Sequence, residues 1–173
     1  CVVGNDVYVG GAIASGSGSL KAVYWKNGAM VDLSGGITNT DLQSITVVGN
    51  DVYACGYIWN NSFSQVATYW KNGVPVYLGN GTDYSWAGQI IVSGNDIYVS
   101  GGEEITGTGV MVAKYWKNGV ETNLSNGTFS AETNQMILSG NDVYIAGYQR
   151  VNAVNNNAKA VYWKNGVMVE LTD

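Results

Sequence analysis

Four acidic residues outside the repeated turns of this sequence could take part in acid–base chemistry: Asp41, Glu103, Glu104 and Glu132. Glycoside hydrolysis needs two carboxyl groups roughly 5–9 Å apart across the scissile bond. The sequence places no pair at that separation, and scattered surface acids are the simpler interpretation. The chain has no histidine, which excludes Ser-His-Asp and Cys-His catalysis and any zinc site with an imidazole ligand. We therefore predict that the protein is not an enzyme, with a glycoside hydrolase as a remote alternative.

A second group of side chains combines aromatic rings with amides and a carboxylate, the mixture expected of a small-ligand site. Trp86 is the most informative member, because a tryptophan in a polar loop is seldom explained by core packing alone. Together with Trp59 it could offer an apolar ring to the face of a sugar, while amides and Asp83 supply hydrogen bonds. The predicted ligand-binding residues are Tyr57, Trp59, Asn60, Asn61, Asp83, Tyr84 and Trp86. The alternative is that these loop aromatics only cover the end of the fold.

The elements that must position these side chains follow from a fourfold internal repeat. The signature Gly-Asn-Asp-(Val/Ile)-Tyr begins at Gly4, Gly49, Gly94 and Gly140, and the signature Tyr-Trp-Lys-Asn-Gly begins at Tyr24, Tyr69, Tyr115 and Tyr162. Successive copies are 45 to 47 residues apart, a period in the range of β-propeller blades. We expect whatever recurs in every copy to be structural, and whatever departs from the pattern to be a candidate for function.

Each copy has the pattern of four short strands joined by tight turns. In the second copy we predict strands at 45–48, 52–57, 66–70 and 74–78, with Gly-Asn-Asp and Lys-Asn-Gly as turns. Asn-Gly between β-rich segments is a strong hairpin signal, since both residues accept positive φ. The predicted fold is therefore all-β: a four-bladed β-propeller in a single domain over 1–173, with blades at about 1–33, 34–78, 79–124 and 125–173.

Three recurring residue types have predicted structural roles. The repeated tryptophans and tyrosines should pack between neighbouring blades, with their polar tips satisfied. The repeated aspartates should bond local backbone N–H groups of their turns, and solvation explains the repeated lysines. Trp86 departs from this scheme, because the equivalent positions in the second and fourth copies hold Asp41 and Glu132.

The paired signatures, with Leu-Thr-Asp or Leu-Ser-Asn after the fourth strand, resemble a family of bacterial repeat proteins expected to be secreted or surface propellers, mostly of unassigned function. The resemblance covers the whole chain and implies a secreted or cell-surface location, but it supplies no catalytic residue. Such repeats usually occur in longer arrays. Two forms of closure therefore stay open: a four-bladed ring, as in hemopexin-like domains, or half of an eight-bladed assembly of two chains.

Charge and composition limit the partners. Eight basic and thirteen acidic residues give a net charge of −5, and the basic residues are spread along the chain, which argues against a nucleic-acid groove. No apolar segment reaches the roughly 18 residues of a membrane span. We expect a glycan partner, with a protein partner as the alternative, and a monomer in preference to a homodimer. No cofactor is expected, although backbone carbonyls could hold a structural cation in an axial channel. The cysteines, Cys1 and Cys55, are predicted to be free and mostly buried.

Overall fold

The fold was examined in a computed structural model, which describes residues 1–16, 18–37, 39–60, 62, 64–152 and 157–171. Over this part of the chain there are sixteen β-strands and no helix. The strands form four antiparallel sheets of four strands, each built from one copy of the repeat. Within every sheet the strands are hydrogen-bonded in chain order. The all-β prediction is confirmed, and so is the assignment of one four-stranded sheet to each repeat.

The four sheets, numbered I to IV, have the following strands. Sheet I contains β1 (Val2–Val3), β2 (Asp6–Ala14), β3 (Leu20–Lys26) and β4 (Ala29–Asp32). Sheet II contains β5 (Thr40–Val48), β6 (Asp51–Trp59), β7 (Gln65–Lys71) and β8 (Val74–Tyr77). Sheet III contains β9 (Ser85–Ser93), β10 (Asp96–Ile105), β11 (Val110–Lys117) and β12 (Val120–Asn123), and sheet IV contains β13 (Ala131–Ser139), β14 (Asp142–Arg150), β15 (Ala158–Lys164) and β16 (Val167–Glu170). Strand β5 begins earlier than predicted, because cross-strand pairing continues through the polar segment 40–44.

The two signatures of each repeat bind each other at one end of their sheet, which we call the turn edge. In sheet II, Asn72 donates its side-chain amide to Asp51 Oδ1 at 2.7 Å and accepts from the backbone N–H of Val52 at 2.9 Å. Lys71 Nζ lies 3.2 Å from Asp51 Oδ2 and 5.3 Å from the centre of the Tyr53 ring. The same contacts recur in the other sheets, between Asp6, Lys26 and Asn27, between Asp96, Lys117 and Asn118, and between Asp142, Lys164 and Asn165.

These contacts correct the predicted roles of the turn aspartates and lysines. Each aspartate side chain binds an asparagine amide and a lysine ammonium from the second signature, instead of only local backbone groups. The reason is the two-residue Asn-Gly turn, in which both residues have positive φ, with Asn72 at 52°. The hydrogen bonds from Asn72 and Lys71 hold the pKa of Asp51 below its ordinary value, and the equivalent bonds lower the pKa of the other three aspartates.

Each interior sheet directs its signature tryptophan toward the sheet before it and its signature tyrosine toward the sheet after it. Trp70 of sheet II is 1% exposed and packs with Ala22 and Leu33 of sheet I. Tyr53, on the other side of sheet II, packs with Trp116 of sheet III. Packing of these aromatics between neighbouring sheets was predicted and is confirmed.

The polar tips of the buried tryptophans differ from the prediction. The indole N–H groups of Trp70, Trp116 and Trp163 are buried without a hydrogen-bond partner within the described part of the chain. Their surroundings explain this, because the clusters that enclose them are formed largely by alanine, valine, leucine and isoleucine side chains. The tryptophans therefore stabilise the junctions by burial of apolar area rather than by hydrogen bonding.

The four sheets form a row in chain order. Sheet I packs on sheet II, sheet II on sheet III and sheet III on sheet IV, mainly through strands β5, β9 and β13. Across the described ranges, no comparable packing joins sheet IV to sheet I. Consequently one face of each end sheet is uncovered: Val9 of sheet I is 54% exposed, whereas the equivalent Val99 of sheet III is 1% exposed.

The two cysteines are free thiols in different environments. Cys55 is fully buried in the junction between sheets II and III, and burial raises the pKa of its thiol. Cys1 is exposed, so the prediction that both are mostly buried is wrong for Cys1, which lies beside β1 at the uncovered end of the row.

Within the described residues, no helix is long and apolar enough to cross a membrane.

Candidate functional site

The longer loops meet at the end of the sheets opposite the turn edge, which we call the loop edge. The loop after β6 is tied to the loop after β8 by Asn60, whose side-chain amide donates to the carbonyl of Gly81 at 2.6 Å. The loop after β10 joins them through a hydrogen bond from Thr106 to Asp83. Three loops from sheets II and III therefore form one surface, and it carries most of the predicted ligand-binding residues.

The centre of this surface is an aromatic pair formed by Trp59 and Tyr84. Their ring centres are 6.3 Å apart and their planes meet at 81°, an edge-to-face arrangement. Trp59 is the last residue of β6 and Tyr84 directly precedes β9, so strand ends hold both rings. Trp59 is half-buried and Tyr84 is 39% exposed. Both rings thus have solvent access, and a ligand could pack against them.

Tyr57 lies beside this pair and is oriented by a carboxylate. Its hydroxyl donates to Asp41 Oδ2 at 3.2 Å, and both Tyr57 and Tyr84 interact with the buried side chain of Gln65. Burial, and after it the charge of Asp41, raises the pKa of Tyr57 to about 12. The phenol therefore stays protonated at neutral pH and acts as a hydrogen-bond donor.

Asn60 and Asp83 are used mainly to build the loops. The side-chain oxygen Oδ1 of Asn60 accepts from the backbone N–H groups of Ser62 and Ser64 at 2.9 and 3.0 Å. Asp83 accepts from the side chain of Asn80 at 2.9 Å and from Thr106, and these bonds, led by that of Asn80, lower its pKa. Asn61 lies outside the described residues. A contact of Asn60 or Asp83 with a ligand stays a prediction.

Trp86 is engaged with its own sheet. It pairs across the strands with Gly102, and a Cβ at Gly102 would lie 2.4 Å from the Trp86 ring, so the indole takes the place of the missing side chain. The ring that meets Trp59 is Tyr84 rather than Trp86. At the positions equivalent to Trp86 and Gly102, sheet II pairs Asp41 with Tyr57 and sheet IV pairs Glu132 with Tyr148. The loss of an acid at Trp86 is therefore matched by the loss of a tyrosine at Gly102.

A polar cavity of about 350 Å³ opens next to the loop that carries Tyr84, and neither ring of the aromatic pair is among its lining residues. Its lining includes Asp83, Glu103, Glu104, Thr106, Lys114 and Asn126. The cavity adjoins the backbone of Tyr84, because Asp83 precedes Tyr84 in the chain and the backbone N–H of Glu104 donates to the carbonyl of Tyr84 at 2.7 Å. Aromatic rings next to convergent carboxylate, amide and hydroxyl groups form the kind of surface that binds a small polar ligand.

Lys114 is a residue of this cavity that was not predicted from the sequence. It is 7% exposed and forms ion pairs with Glu103 and, at 3.1 Å, with Glu121. Burial by itself would lower the pKa of Lys114, but the hydrogen bonds to the two glutamates outweigh it and the pKa is raised. A comparison of the four repeats distinguishes Lys114, because no other repeat has a charged residue before Tyr-Trp. The equivalent residues are Val23, Thr68 and Val161.

The four acids considered for acid–base chemistry lie in three different sheets. Asp41 is in sheet II, Glu103 and Glu104 are in sheet III, and Glu132 is in sheet IV. Asp41 binds Tyr57 and Glu103 binds Lys114, while Glu104 accepts from the backbone of Gly109 at 3.0 Å. In the part of the chain that the structure describes, no group of three or more Cys, Asp or Glu side chains could hold a metal ion.

No protein-family model matches the chain, and no curated protein matches it either. The functional interpretation therefore rests on the fold and on the geometry of the loop edge. Together these define an all-β repeat protein of four packed sheets that carries a candidate small-ligand site between sheets II and III.

Proposed function

We propose that this chain is a non-enzymatic binding module that recognises carbohydrate at the loop edge of sheets II and III. The observation that carries the proposal is the edge-to-face pair of Trp59 and Tyr84 next to the polar cavity of about 350 Å³. A sugar has an apolar face of C–H groups and a rim of hydroxyls. A partly exposed aromatic surface beside carboxylates and amides is complementary to both, whereas a purely apolar ligand would leave those polar groups unpaired.

We further propose that the four sheets are blades of a β-propeller. Four-stranded antiparallel sheets that repeat every 45 to 47 residues and pack side by side in chain order support this arrangement. In such a fold the short turns gather on one face and the longer loops on the other. The candidate site lies among the longer loops, where recognition is commonly placed on a rigid scaffold. A secreted or cell-surface location fits both the ligand class and the family resemblance.

In the proposed complex the residues have separate roles. Trp59 and Tyr84 pack against the sugar ring, and Tyr57, whose hydroxyl donates to Asp41, supports the platform from behind. Glu104 and Asn126 line the cavity and are placed to bind hydroxyl groups. Lys114 pairs with Glu103, while the carboxylates of Asp83 and Glu104 leave the cavity lining negative and able to accept hydrogen bonds from sugar hydroxyl groups.

A glycan array followed by calorimetry with the best-binding sugar tests the proposal. We expect Trp59→Ala and Tyr84→Ala each to weaken binding about tenfold or more, because each removes part of the platform. Val74→Ala is the control, since Val74 is 64% exposed at the start of β8, directly after the Lys-Asn-Gly turn and therefore at the turn edge. The proposal fails if the wild-type chain binds no glycan, or if all three variants bind the sugar as tightly as the wild-type chain does.

The second candidate is a protein-interaction scaffold, which a different observation favours. The uncovered faces of sheets I and IV expose apolar side chains, with Val9 at 54% and Ile137 at 55% exposure. Exposed apolar patches on a folded protein mark interaction surfaces. A scaffold would retain its partner when Trp59 and Tyr84 are replaced by alanine, and a carbohydrate-binding module would lose its ligand.

A further inference from the structure

The row of four sheets ends in two uncovered faces of different composition. The leading end face belongs to sheet I and contains Val2, Val7, Val9, Trp25 and Met30. The trailing end face belongs to sheet IV and contains Gln135, Ile137, Tyr144, Ala146 and Tyr162. Cross-strand register places each set on one side of its sheet, because Val9 pairs with Trp25 and Ile137 pairs with Tyr144. One face carries the signature tryptophan and the other carries the signature tyrosines.

The trailing end face is the exposed counterpart of faces that are covered inside the row. Ala146 is exposed, whereas Cys55 and Ser100, at the same position in sheets II and III, are 0% and 1% exposed. Tyr144 is half-buried, whereas the equivalent Tyr98 is 8% exposed. A groove of about 370 Å³ runs between these side chains. On sheets II and III, the following sheet of the row packs against the equivalent surface.

The leading end face shows the same difference from its interior counterparts. Val7 is 46% exposed, but the equivalent Val52 and Val143 are 8% and 6% exposed. Trp25 is half-buried, but Trp163 at the same position is fully buried against sheet III. In three junctions of this chain, a tryptophan face of this kind is covered by a tyrosine face of the preceding sheet.

We propose that the leading end face of one copy docks on the trailing end face of a second copy, so that sheet I follows sheet IV as each sheet follows its predecessor within the chain. The internal junctions predict the contacts. Tyr8 packs on Val47 and Val52, so Tyr144 packs on the equivalent Val2 and Val7 of the second copy. The occupant is a second copy because the two faces carry the residue types that form the three internal junctions.

The contact is heterologous, since two different faces meet. Heterologous contacts close into a ring when the rotation between copies permits and otherwise continue as a filament. Two copies joined at both junctions form a ring of eight sheets. This is the eight-bladed assembly of two chains, one of the two forms of closure that four repeats leave open. The inference does not rest on carbohydrate binding, because the end faces are formed by other residues than the loop edge.

The mass in solution, measured by analytical ultracentrifugation over a range of concentrations, tests this docking. We expect the 173-residue chain to sediment as a dimer with twice the 18.4 kDa of one chain. Val9→Asp on the leading end face and Ile137→Asp on the trailing end face should each weaken association about tenfold or more, because each buries an unpaired carboxylate in the contact. Val120→Asp, 71% exposed on the outer strand β12 of sheet III, is the control and should leave the dimer intact.

Mixing the two face variants identifies the head-to-tail geometry. A Val9→Asp chain keeps its trailing end face and an Ile137→Asp chain keeps its leading end face, so the mixture should form a heterodimer through one intact junction. Val9 and Ile137 are each more than half exposed, so both variants should fold. Circular dichroism verifies this. Should either fail to fold, Val7→Asp and Ala146→Asp provide a second pair.

Three results would overturn the docking: a monomer at every concentration, an oligomer that is indifferent to both face variants, and a mixture of the variants that does not associate. Larger oligomers that the same two variants abolish would support the contact and show that it does not close after two copies. Glycan binding by a monomeric chain would leave the proposed function intact while overturning the docking, so the two failures are distinguishable.

Discussion

The six-membered ring of Trp86 occupies the place of a side chain at Gly102, the residue opposite it in the neighbouring strand: a Cβ built at Gly102 would lie 2.4 Å from Cη2 of the indole. In sheet IV the same pair is Glu132 and Tyr148, which lie opposite each other in neighbouring strands and interact electrostatically. In sheet III a tryptophan stands in place of the acid and a glycine in place of the tyrosine, so the two differences compensate each other across the strands. This relationship explains the residue type at Trp86 through packing within its own sheet.

The compensation predicts strong coupling in a double-mutant cycle. Gly102→Tyr places a ring where the Trp86 indole lies, and Trp86→Glu uncovers the glycine backbone, so each change alone should cost about 1–3 kcal/mol of unfolding free energy. The double variant restores the Glu–Tyr pair of sheet IV and should be more stable than the sum of the single changes by at least about 1 kcal/mol. Denaturant unfolding measures all four proteins. Additivity of the two changes would show that the residues do not compensate.

The signature tryptophans should differ in their contribution to stability according to whether a preceding sheet covers them. Trp116 is 1% exposed in the junction of sheets II and III, so Trp116→Ala should cost about 3–5 kcal/mol through lost burial and the cavity left behind. Trp25 has the same place in its repeat but is half-buried on the leading end face. In dilute solution Trp25→Ala should cost about half as much or less. Equal losses would contradict the open row of sheets.

The buried ion pair in the cavity should be stabilising only as a pair. Lys114→Val leaves Glu103, whose side chain is 12% exposed, without its cation, and should cost about 2–3 kcal/mol, below the full cost for an enclosed charge because water reaches the cavity. Adding Glu103→Ile gives the apolar residue that sheet II has at Ile58 and should recover most of the loss. Thermal and denaturant unfolding measure both variants. A double variant no more stable than Lys114→Val would contradict this expectation.

Stability should fall on acidification through the four turn aspartates. The hydrogen bonds from Asn72 and Lys71 lower the pKa of Asp51 below its ordinary value of 3.8, so the folded protein binds the proton less well than the unfolded chain does. The stabilisation is therefore fully present above the ordinary pKa and is lost as pH falls through the lower folded pKa. We expect the unfolding temperature to drop between about pH 4 and about pH 2.

Asp51→Asn provides the comparison for the acid transition. This variant should unfold at a lower temperature than the wild type at neutral pH, because Lys71 loses its carboxylate partner. Its unfolding temperature should also change less on acidification, since one of the four groups no longer titrates. A wild-type unfolding temperature that stays constant over that pH range would contradict the linkage.

The repeat made much of the fold predictable from sequence. The Asn-Gly turns specify hairpins because both residues must adopt positive φ, as at Asn72 and Gly73. Strand extent was less predictable, because the polar segment at the start of β5 has no strong β propensity and is held by pairing with β6. At the candidate site, the sequence indicated Tyr57, Trp59 and Tyr84, which the structure brings together, but it did not indicate Lys114 or the partner of Trp86.

The all-β class, the four equal units and the division between repeated scaffold residues and unique loop residues follow from the order of amino acids alone. Local backbone preferences and spacing are sufficient for these features, since they depend on residues near each other in the chain. Which unique residues meet depends on how the sheets pack in three dimensions. Trp86 is committed to Gly102 across a strand pair, Trp59 meets Tyr84 from the adjacent loop, and Val9 and Ile137 lie on faces that no neighbouring sheet covers. Contacts of this kind depend on strand register and sheet order, which the type of an individual residue does not specify.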